Sequence, residues 1–328
     1  MSVVVYRAGF FTTVQDRGRT GFRQHGVSLG GALDAHALCV ANLLVGNEEN
    51  AAGIEMVIGP IRLRFDGDRL IAWAGGAMNV RIGDREVPPG RAALVASGED
   101  VSITAERPAR AWLAVSGGVD VPVVLASRST DLRAQFGGFQ GRALCDGDRL
   151  RFGAPSPTAI RFRRKLAEAQ IANAGASEEW AQTGRRRAFL RVVRGAEWDQ
   201  FEASARAALL ADQFTVSDEA DRMGVRLDGS VLSRHEAIEL ISSPVAPGTI
   251  QVPPNGHPIL LLGDCQTIGG YPKIAHVITV DMPIAAQLQP GDPVHFGEVS
   301  LGEARSLLAA REHDLRWFRA GLHALMMS

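Results

Sequence analysis

Two stretches decide the fold: Leu144–Gly153, reading LCDGDRLRFG, and Leu288–Gly297, reading LQPGDPVHFG. Aligned, they share L-x-x-G-D-x-apolar-x-F-G, so that Gly147-Asp148 answers Gly291-Asp292. A Gly-Asp pair favours a tight turn, and alternating apolar and polar residues after it suit a half-buried strand. Each copy therefore predicts a turn and strand that close a β unit. Two more patterns recur in the same order. Arg19-Thr20-Gly21-Phe22-Arg23 matches Arg222-Met223-Gly224-Val225-Arg226, and Ile54-Glu55-Met56 with Pro60 matches Ile238-Glu239-Leu240 with Pro244. Three collinear matches predict a duplicated chain. They imply two related β domains in tandem, with a cleft between them as the natural ligand site. The longer spacing between the second and third patterns in the N-terminal half predicts an insertion there.

The rest of the chain fits this frame. Its 328 residues suggest about two domains, and 46% hydrophobic with 22% charged residues is ordinary globular composition. A formal net charge of −1 provides no basic field for a phosphate backbone, and 6% aromatics provide few stacking surfaces, so nucleic acid is not an expected partner. Cys39, Cys145 and Cys265 are widely spaced and odd in number, which argues against a disulfide framework or a zinc site. No metal is expected. The N-terminus lacks the basic region and cleavage site of a signal peptide, and no apolar run approaches the ~20 residues of a membrane span. The expectation is a soluble, cytoplasmic protein without a membrane partner.

Short strand-like runs recur at Val3–Val5, Ile61–Phe65, Leu70–Ala74, Ala92–Val95, Val101–Thr104 and Ala111–Val115, the spacing of a barrel or sandwich. Helices are expected over Leu33–Leu44, over Glu197–Leu210, and over Leu301–Leu325, where Ser300 and Glu303 have capping-box spacing. Residues 154–187 carry prolines, then charged and alanine-rich sequence ending in Arg185-Arg186-Arg187, and read as an exposed connection. The division is residues 1–155, a connecting segment 156–187, residues 188–298, and a C-terminal helix 299–328.

The densest chemistry lies in Gly248–Phe296. Asp264, Gln266, Thr267 and Lys273 fall within ten residues, around Gly269-Gly270-Tyr271-Pro272. Paired glycines let a backbone approach a ligand closely. Lys273 also stands out because all but two of the 35 basic residues are arginines, Lys165 being the other. The candidate site is Lys273, Asp264 and Arg222 as catalytic groups, with Gln251, Gln266, Thr267, Gly269, Gly270 and Tyr271 binding a small amide or carboxylate. An ammonium and a guanidinium would stabilise developing negative charge. Asp264 serves either as a general base or as the group that holds Lys273, the latter being the preferred reading. The alternative is that the glycines form only a turn capped by Asp264. A second group, Gln15, Asp16, Arg19, His25 and Glu55, surrounds a polar, glycine-rich stretch before the first helix. It suits an anion or simply a helix start. Cys265 could pair with His257 or His276 as a nucleophile, but the default for such a cysteine is burial.

TTVQDRGRTGF (12–22), GVSLGGALDAHAL (26–38), ANLLVGNEENAAGIEMVIGP (41–60), DRMGVRL (221–227), GTIQVPPNGHPILLLGDCQTIGGYPKIAHV (248–277) and AQLQPGDPVHF (286–296) resemble a carboxyltransferase-like family. That family includes the C subunit of 5-oxoprolinase, the second subunit of allophanate hydrolase and the kinase-inhibitor antagonist. The Q-T-x-G-G-Y-P string carries most of the specificity. Ile268 departs from the family, standing where many members have a second threonine. Ala285-Ala286 also departs from the commoner residues before Gln287. The resemblance implies a mainly β fold of two tandem cyclophilin-like β-barrel domains. It implies one component of an enzyme that opens 5-oxoproline to glutamate with ATP. A sister B subunit and an A subunit would be its partners, and the nucleotide would be bound by or shared with the sister chain. The resemblance also leaves open a carboxyltransferase role in a biotin-dependent urea system, with no biotin on this chain, and a regulatory antagonist that binds a kinase-inhibitor sister protein.

Overall fold

The structure is a computed structural model and describes residues 1–182, 188–236 and 239–327. The chain divides into two compact units. Met1–Gly18, Asp34–Arg185 and Asp314–Ser328 form the first, and Arg19–Leu33 with Arg186–His313 form the second. Residues 19–33 thus belong with sequence some 200 positions downstream. Arg185–Arg187 of the expected connection and Ile238 of the second repeat lie outside the described residues.

In the first unit the strands are β1 (Ser2–Arg7), β2 (Thr13–Gln15), β3 (Gly53–Met56), β4 (Ile61–Phe65), β5 (Arg69–Gly75), β6 (Asn79–Ile82), β7 (Arg85–Glu86), β8 (Ala93–Val95), β9 (Asp100–Thr104), β10 (Ala111–Val115) and β11 (Arg149–Arg151). They form two sheets, ordered β11-β1-β4-β9-β6-β7 and β2-β3-β10-β5-β8. Both sheets feed one core, where Val3, Leu63, Ile103, Ile54, Trp73 and Leu113 meet. β4 shows the reason for its pairing in its sequence: Ile61, Leu63 and Phe65 point inward and Arg62 and Arg64 outward, where both reach Asp100. β5 and β10 are buried throughout because helix α1 (Ala35–Leu44) covers their other face. That helix is accordingly apolar nearly all round, and Asp34 caps it by accepting from the Ala37 amide at 2.7 Å.

Residues 156–182 of the expected connecting segment are part of this unit. Ser156 caps α2 (Pro157–Ala169), which buries Ala159, Phe162 and Leu166. Beyond it the Ala172 and Ala176 amides donate to Ala92 and Gly90. A charged, alanine-rich sequence looked exposed because only one narrow stripe of the helix is apolar. α3 (Glu178–Ala181) follows.

In the second unit the strands are β12 (Phe189–Arg194), β13 (Phe214–Ala220), β14 (Gly224–Asp228), β15 (Ser243–Pro244), β16 (Thr249–Gln251), β17 (Ile259–Leu261), β18 (Ile268–Gly269), β19 (Lys273–Val277) and β20 (Pro293–Glu298). Seven close a barrel in the order β12-β19-β16-β17-β14-β13-β20, and β15 with β18 form a small separate ribbon. Every barrel pairing is antiparallel except β12 with β20. Leu190, Val216, Leu227, Ile250, Leu260 and Ala275 fill the interior with the edge-to-face pair Phe214–Phe296, 5.9 Å between centroids. The expected helix at 197–210 is a 3₁₀ turn at Trp198–Gln200 followed by α4 (Ala203–Ala211). α5 (Met282–Ala285) is a single turn, and α6 (Leu301–Met327) ends the chain, its Ser300–Glu303 box formed as expected.

The two Gly-Asp turns match bond for bond. Gly147 N donates to Val5 O at 2.7 Å and Gly291 N to Val216 O at 2.8 Å, and the Asp148 and Asp292 carboxylates accept from the Cys145 and Gln289 amides. The other repeats do not match in structure. Arg19–Arg23 runs through a loop into a 3₁₀ turn at Arg23–His25, whereas Gly224–Arg226 belongs to β14. Glu239 and Leu240 are not in a strand, whereas Ile54–Met56 lies in β3. Around the turn, however, five strands run in one order in both units, β11-β1-β4-β9-β6 and β20-β13-β14-β17-β16, antiparallel throughout, so the duplication predicted from sequence is retained in that sheet and lost beyond it. The full ring of hydrogen bonds is found in the second unit, while the first keeps two sheets around one core.

Candidate functional site

β16 and β19 set the centre of the site, because their register places Gln251 opposite Lys273 across a bulge at Ile250–Gln251. Gln251 is 1% exposed. Its Nε2 donates to Tyr271 O at 3.2 Å, and its Oε1 accepts from Gln266 Nε2 at 3.3 Å. A Cβ on Gly269 would come within 2.7 Å of Gln251 Nε2, so this glycine is required for the amide pair to stand where it does. Gly270 is less crowded, with Leu240 O and Ser242 Oγ at 3.5 Å from such a Cβ.

Lys273 is buried. Its Nζ donates to Ser243 Oγ at 2.6 Å and lies 3.3 Å from Glu197 Oε2, which also accepts from the Lys273 amide at 2.8 Å. Asp264 does not hold this lysine. Arg222 takes it instead, through Nε to Oδ2 at 2.9 Å and Nη2 to Oδ1 at 3.2 Å, and the same Nη2 reaches Gly31 O at 2.6 Å. The expected Asp264–Lys273 pair failed because nothing in the local sequence marks Glu197, 76 residues earlier, as the lysine's partner. With both Asp264 oxygens committed to the guanidinium, its role is to fix the 263–267 loop. The Gly30 amide secures that loop on Gly263 O at 3.0 Å, and Arg23 does so on Val245 O and Gln266 O.

Beside Gln251 lies a groove of about 450 Å³ bordered by Gln266, Tyr271 and the hairpin acids Asp218, Glu219 and Asp221. Tyr271 also edges a second groove of about 650 Å³, whose wall includes Pro253, Pro254 and Arg234. Lys273 lines neither groove and stands behind Gln251. Thr267 contributes its carbonyl to Val245 N at 3.1 Å. The sequence reading missed Glu197, Ser243 and the hairpin acids, none of which has a local motif. His276 Nδ1 lies 3.2 Å from Thr249 Oγ1, and burial, with a smaller push from Lys273, holds its pKa below the ordinary histidine value. Burial drives the Cys265 thiol pKa upward, which opposes a nucleophilic role.

In the second candidate group, Gln15 and Glu55 stand on the paired strands β2 and β3, where Thr13 lies opposite Glu55. Gln15 donates to Thr13 and to Thr130 O. Asp16 accepts from Gly18 N, Ser127 Oγ, Arg128 N and Ser129 Oγ, all within 2.8 Å, which makes it the tie of a loop. Glu55 is fully buried between Arg110, at 2.9 Å, and the Trp112 indole, at 3.0 Å. These three belong to the first unit. Arg19 belongs to the second, its Nη1 3.1 Å and Asp264 Oδ1 3.9 Å from where a Cβ on Gly30 would stand. His25 sits exposed beside Gln24 on the 3₁₀ turn.

Fold and site together define a β protein whose barrel unit presents an amide pair, a buried Gln251 with an exposed Gln266, backed by a buried ammonium, to an open groove. Residues 25–298 match the family described as carboxyltransferase domain, subdomain A and B, and the chain belongs to that family. It is 42% identical over 317 residues to the 5-oxoprolinase C subunit of Escherichia coli, covering 96% of each chain. It is 35% identical over 301 residues to the 5-oxoprolinase C subunit of Haemophilus influenzae, covering 92% of each. Among solved structures, Kluyveromyces lactis urea carboxylase superposes with a TM-score of 0.86 at 25% identity, over 97% of this chain and 29% of that one. This chain thus spans under a third of that larger protein. It spans 55% of a further solved chain, 32% identical with a TM-score of 0.74. Among the described residues no helix is long and apolar enough to cross a membrane.

Proposed function

We propose that this chain is the C subunit of a 5-oxoprolinase, working with sister subunits to open a small lactam. The observation that carries the reading is end-to-end similarity to subunits of that name, at 42% identity over 96% of both chains. Gln251 and Gln266 suit the substrate: paired side-chain amides offer a donor and an acceptor to a lactam's own C=O and N–H. Lys273 acts through Gln251, as a positioning residue that keeps β19, and with it β16, in register. ATP supplies the driving force for ring opening. Asp218, Glu219 and Asp221 line the groove, which does not fit a triphosphate, so the nucleotide is assigned to a sister subunit.

The test is co-expression with the sister subunits and an assay of 5-oxoproline-dependent ATP hydrolysis. Gln266→Ala should cost about tenfold in kcat/KM, the scale of one net hydrogen bond to a substrate. Lys165→Met should cost nothing, and Lys273→Met should lower kcat with partial rescue by Lys273→Arg. Full activity in Gln266→Ala and Lys273→Met together would remove the site assignment. Turnover by the isolated chain would remove the need for partners. The likeness to urea carboxylase supports a second reading, carboxyl transfer to urea. A complex that turns over urea with a carboxybiotin donor, and not 5-oxoproline with ATP, would establish it.

A further inference from the structure

Between β10 and β11, residues 116–148 form no named strand or helix, yet the segment is tightly determined. Leu125, Ala126, Gln135 and Gln140 all hold left-handed backbone, with φ of 53°, 58°, 56° and 60°. Side-chain-bearing residues resist that conformation, and where it persists the surroundings impose it, characteristically at ligand sites. Here the imposing contacts are plain. Asp16 gathers Ser127, Arg128 and Ser129, Thr130 Oγ1 donates to Val14 O at 3.0 Å, and Arg142 clasps Asp148 at 2.7 and 2.8 Å. A Cβ on Gly138 would strike the Thr130 side chain, so the segment is packed to the backbone there.

The segment encloses a cleft of about 400 Å³ built wholly from the first unit. Its walls are apolar at Val124, Phe136 and Phe139. β11 forms one side: Leu150 points into the core, which turns Arg149 and Arg151 together toward the outer face that borders the cleft. Arg149 is partly occupied by Ser2 Oγ at 3.0 Å and Asp66 at 3.4 Å, whereas the Arg151 guanidinium has no partner among the described residues. Asp120 is the one carboxylate in the lining, against two guanidinium groups. The amides of Gly138 and Phe139, also in the lining, donate to no acceptor among the described residues.

We propose that this cleft binds a small carboxylate carried on a compact apolar body. The carboxylate faces Arg151 and Arg149, where a planar guanidinium can meet both oxygens. The body lies against Phe136 and Val124. The proposal rests on the functional reading above only for its choice of probe, and it concerns binding by this chain alone, without nucleotide or sister subunits.

The test is calorimetric titration of the full chain with 5-oxoproline, cyclopentanecarboxylate and 2-pyrrolidinone, which separate the carboxylate from the lactam. Both acids should bind, and 2-pyrrolidinone should bind at least tenfold more weakly. Arg151→Gln, an exposed substitution, should weaken both acids about tenfold, the scale of one charge-assisted hydrogen bond, with an unchanged melting temperature. Arg149→Gln should weaken them less. The proposal is overturned if neither acid binds, if 2-pyrrolidinone binds as well as the acids, or if binding survives in both arginine variants. Loss of binding in Gln251→Ala with both arginine variants intact would place the ligand in the other groove and overturn it as well. Failure of the complex to turn over 5-oxoproline would leave these outcomes unaffected.

Discussion

The two Gly-Asp turns are near copies, but the strands they launch have different fates. β11 ends an open sheet, with β1 as its one strand partner and only an isolated bridge, Val119 to Phe152, on its other side. β20 is gripped on both sides, antiparallel by β13 and parallel by β12, and so completes a ring. Both copies keep L-x-x-G-D-x-apolar-x-F-G, so closure is decided by whether a second strand is available. In the barrel that strand is β12, whose Leu190 meets Phe296 across the parallel seam. The motif and the five-strand order around it are therefore common to both units, and what they leave open is whether the sheet closes.

The largest expected effect probes the seam. Phe296→Ala should destabilise the protein by about 3–5 kcal/mol, the usual cost of emptying an aromatic site in a core. Phe152→Ala, at the matching position beside an edge strand, should cost less because Phe152 is already 7% exposed. Denaturant midpoints of the two variants check this, and equal losses would mean that closure adds nothing at the seam.

A middling effect separates the turns themselves. Asp148→Ala should cost about 1–2 kcal/mol and Asp292→Ala about 1 kcal/mol, because only Asp148 adds a bidentate arginine to its backbone cap, and Arg142 is partly solvated. Arg142→Ala should erase the difference. Arg142 also holds the Asp148 carboxyl below the ordinary aspartate value. Its contribution is therefore present above pH ~4 and lost as the pH falls through the lowered folded value.

The smallest effect is pH-dependent and confined to the barrel. His276 has a folded pKa below its unfolded value of about 6.5. The unfolded chain then takes up the proton first, so stability should decline as pH falls below that value, by at most ~1.4 kcal/mol per unit. His276→Gln should flatten that slope in melting curves between pH 5 and 7, roughly the window in which histidine titrates. An unchanged slope would assign the acid sensitivity elsewhere.

Apart from the duplication, what the sequence disclosed was local. Ala111–Val115 was read to the residue because a run of apolar residues between turns has few other uses. The Ser300–Glu303 box, the strand at Ile61–Phe65 and the helix ending at Leu44 were legible for similar reasons. The R-x-G-apolar-R repeat misled, because five residues can recur without sharing a backbone conformation. In the candidate site, the contact of Gln251 with Gln266 and with Gly269 joins residues that one dense segment of sequence already put close together. The partners of Lys273 were not, because Glu197 reaches it from just past the end of β12, which pairs with β19, and Ser243 from the separate β15–β18 ribbon, and neither leaves a trace in spacing. The strained segment before β11 was noticed only as extra length, since left-handed backbone at Gln135 and Gln140 has no sequence signature of the kind that glycine supplies.

Arg23 bonds to Val245 and Gln266, partners 222 and 243 residues further along the chain. A ribosome adding ~5–20 residues per second needs on the order of 10–50 s to cover that distance. Throughout that time residues 19–33 are already made and the barrel they belong to does not yet exist. The strands on either side of them, β2 and β3, can meanwhile pair with each other and draw the stretch between them into a closed loop. The segment then waits as a tethered strap for its site to be synthesised. A ribosome pausing before residue 266 would hold the 263–267 loop, and the groove beside Gln251, unmade for the length of the pause.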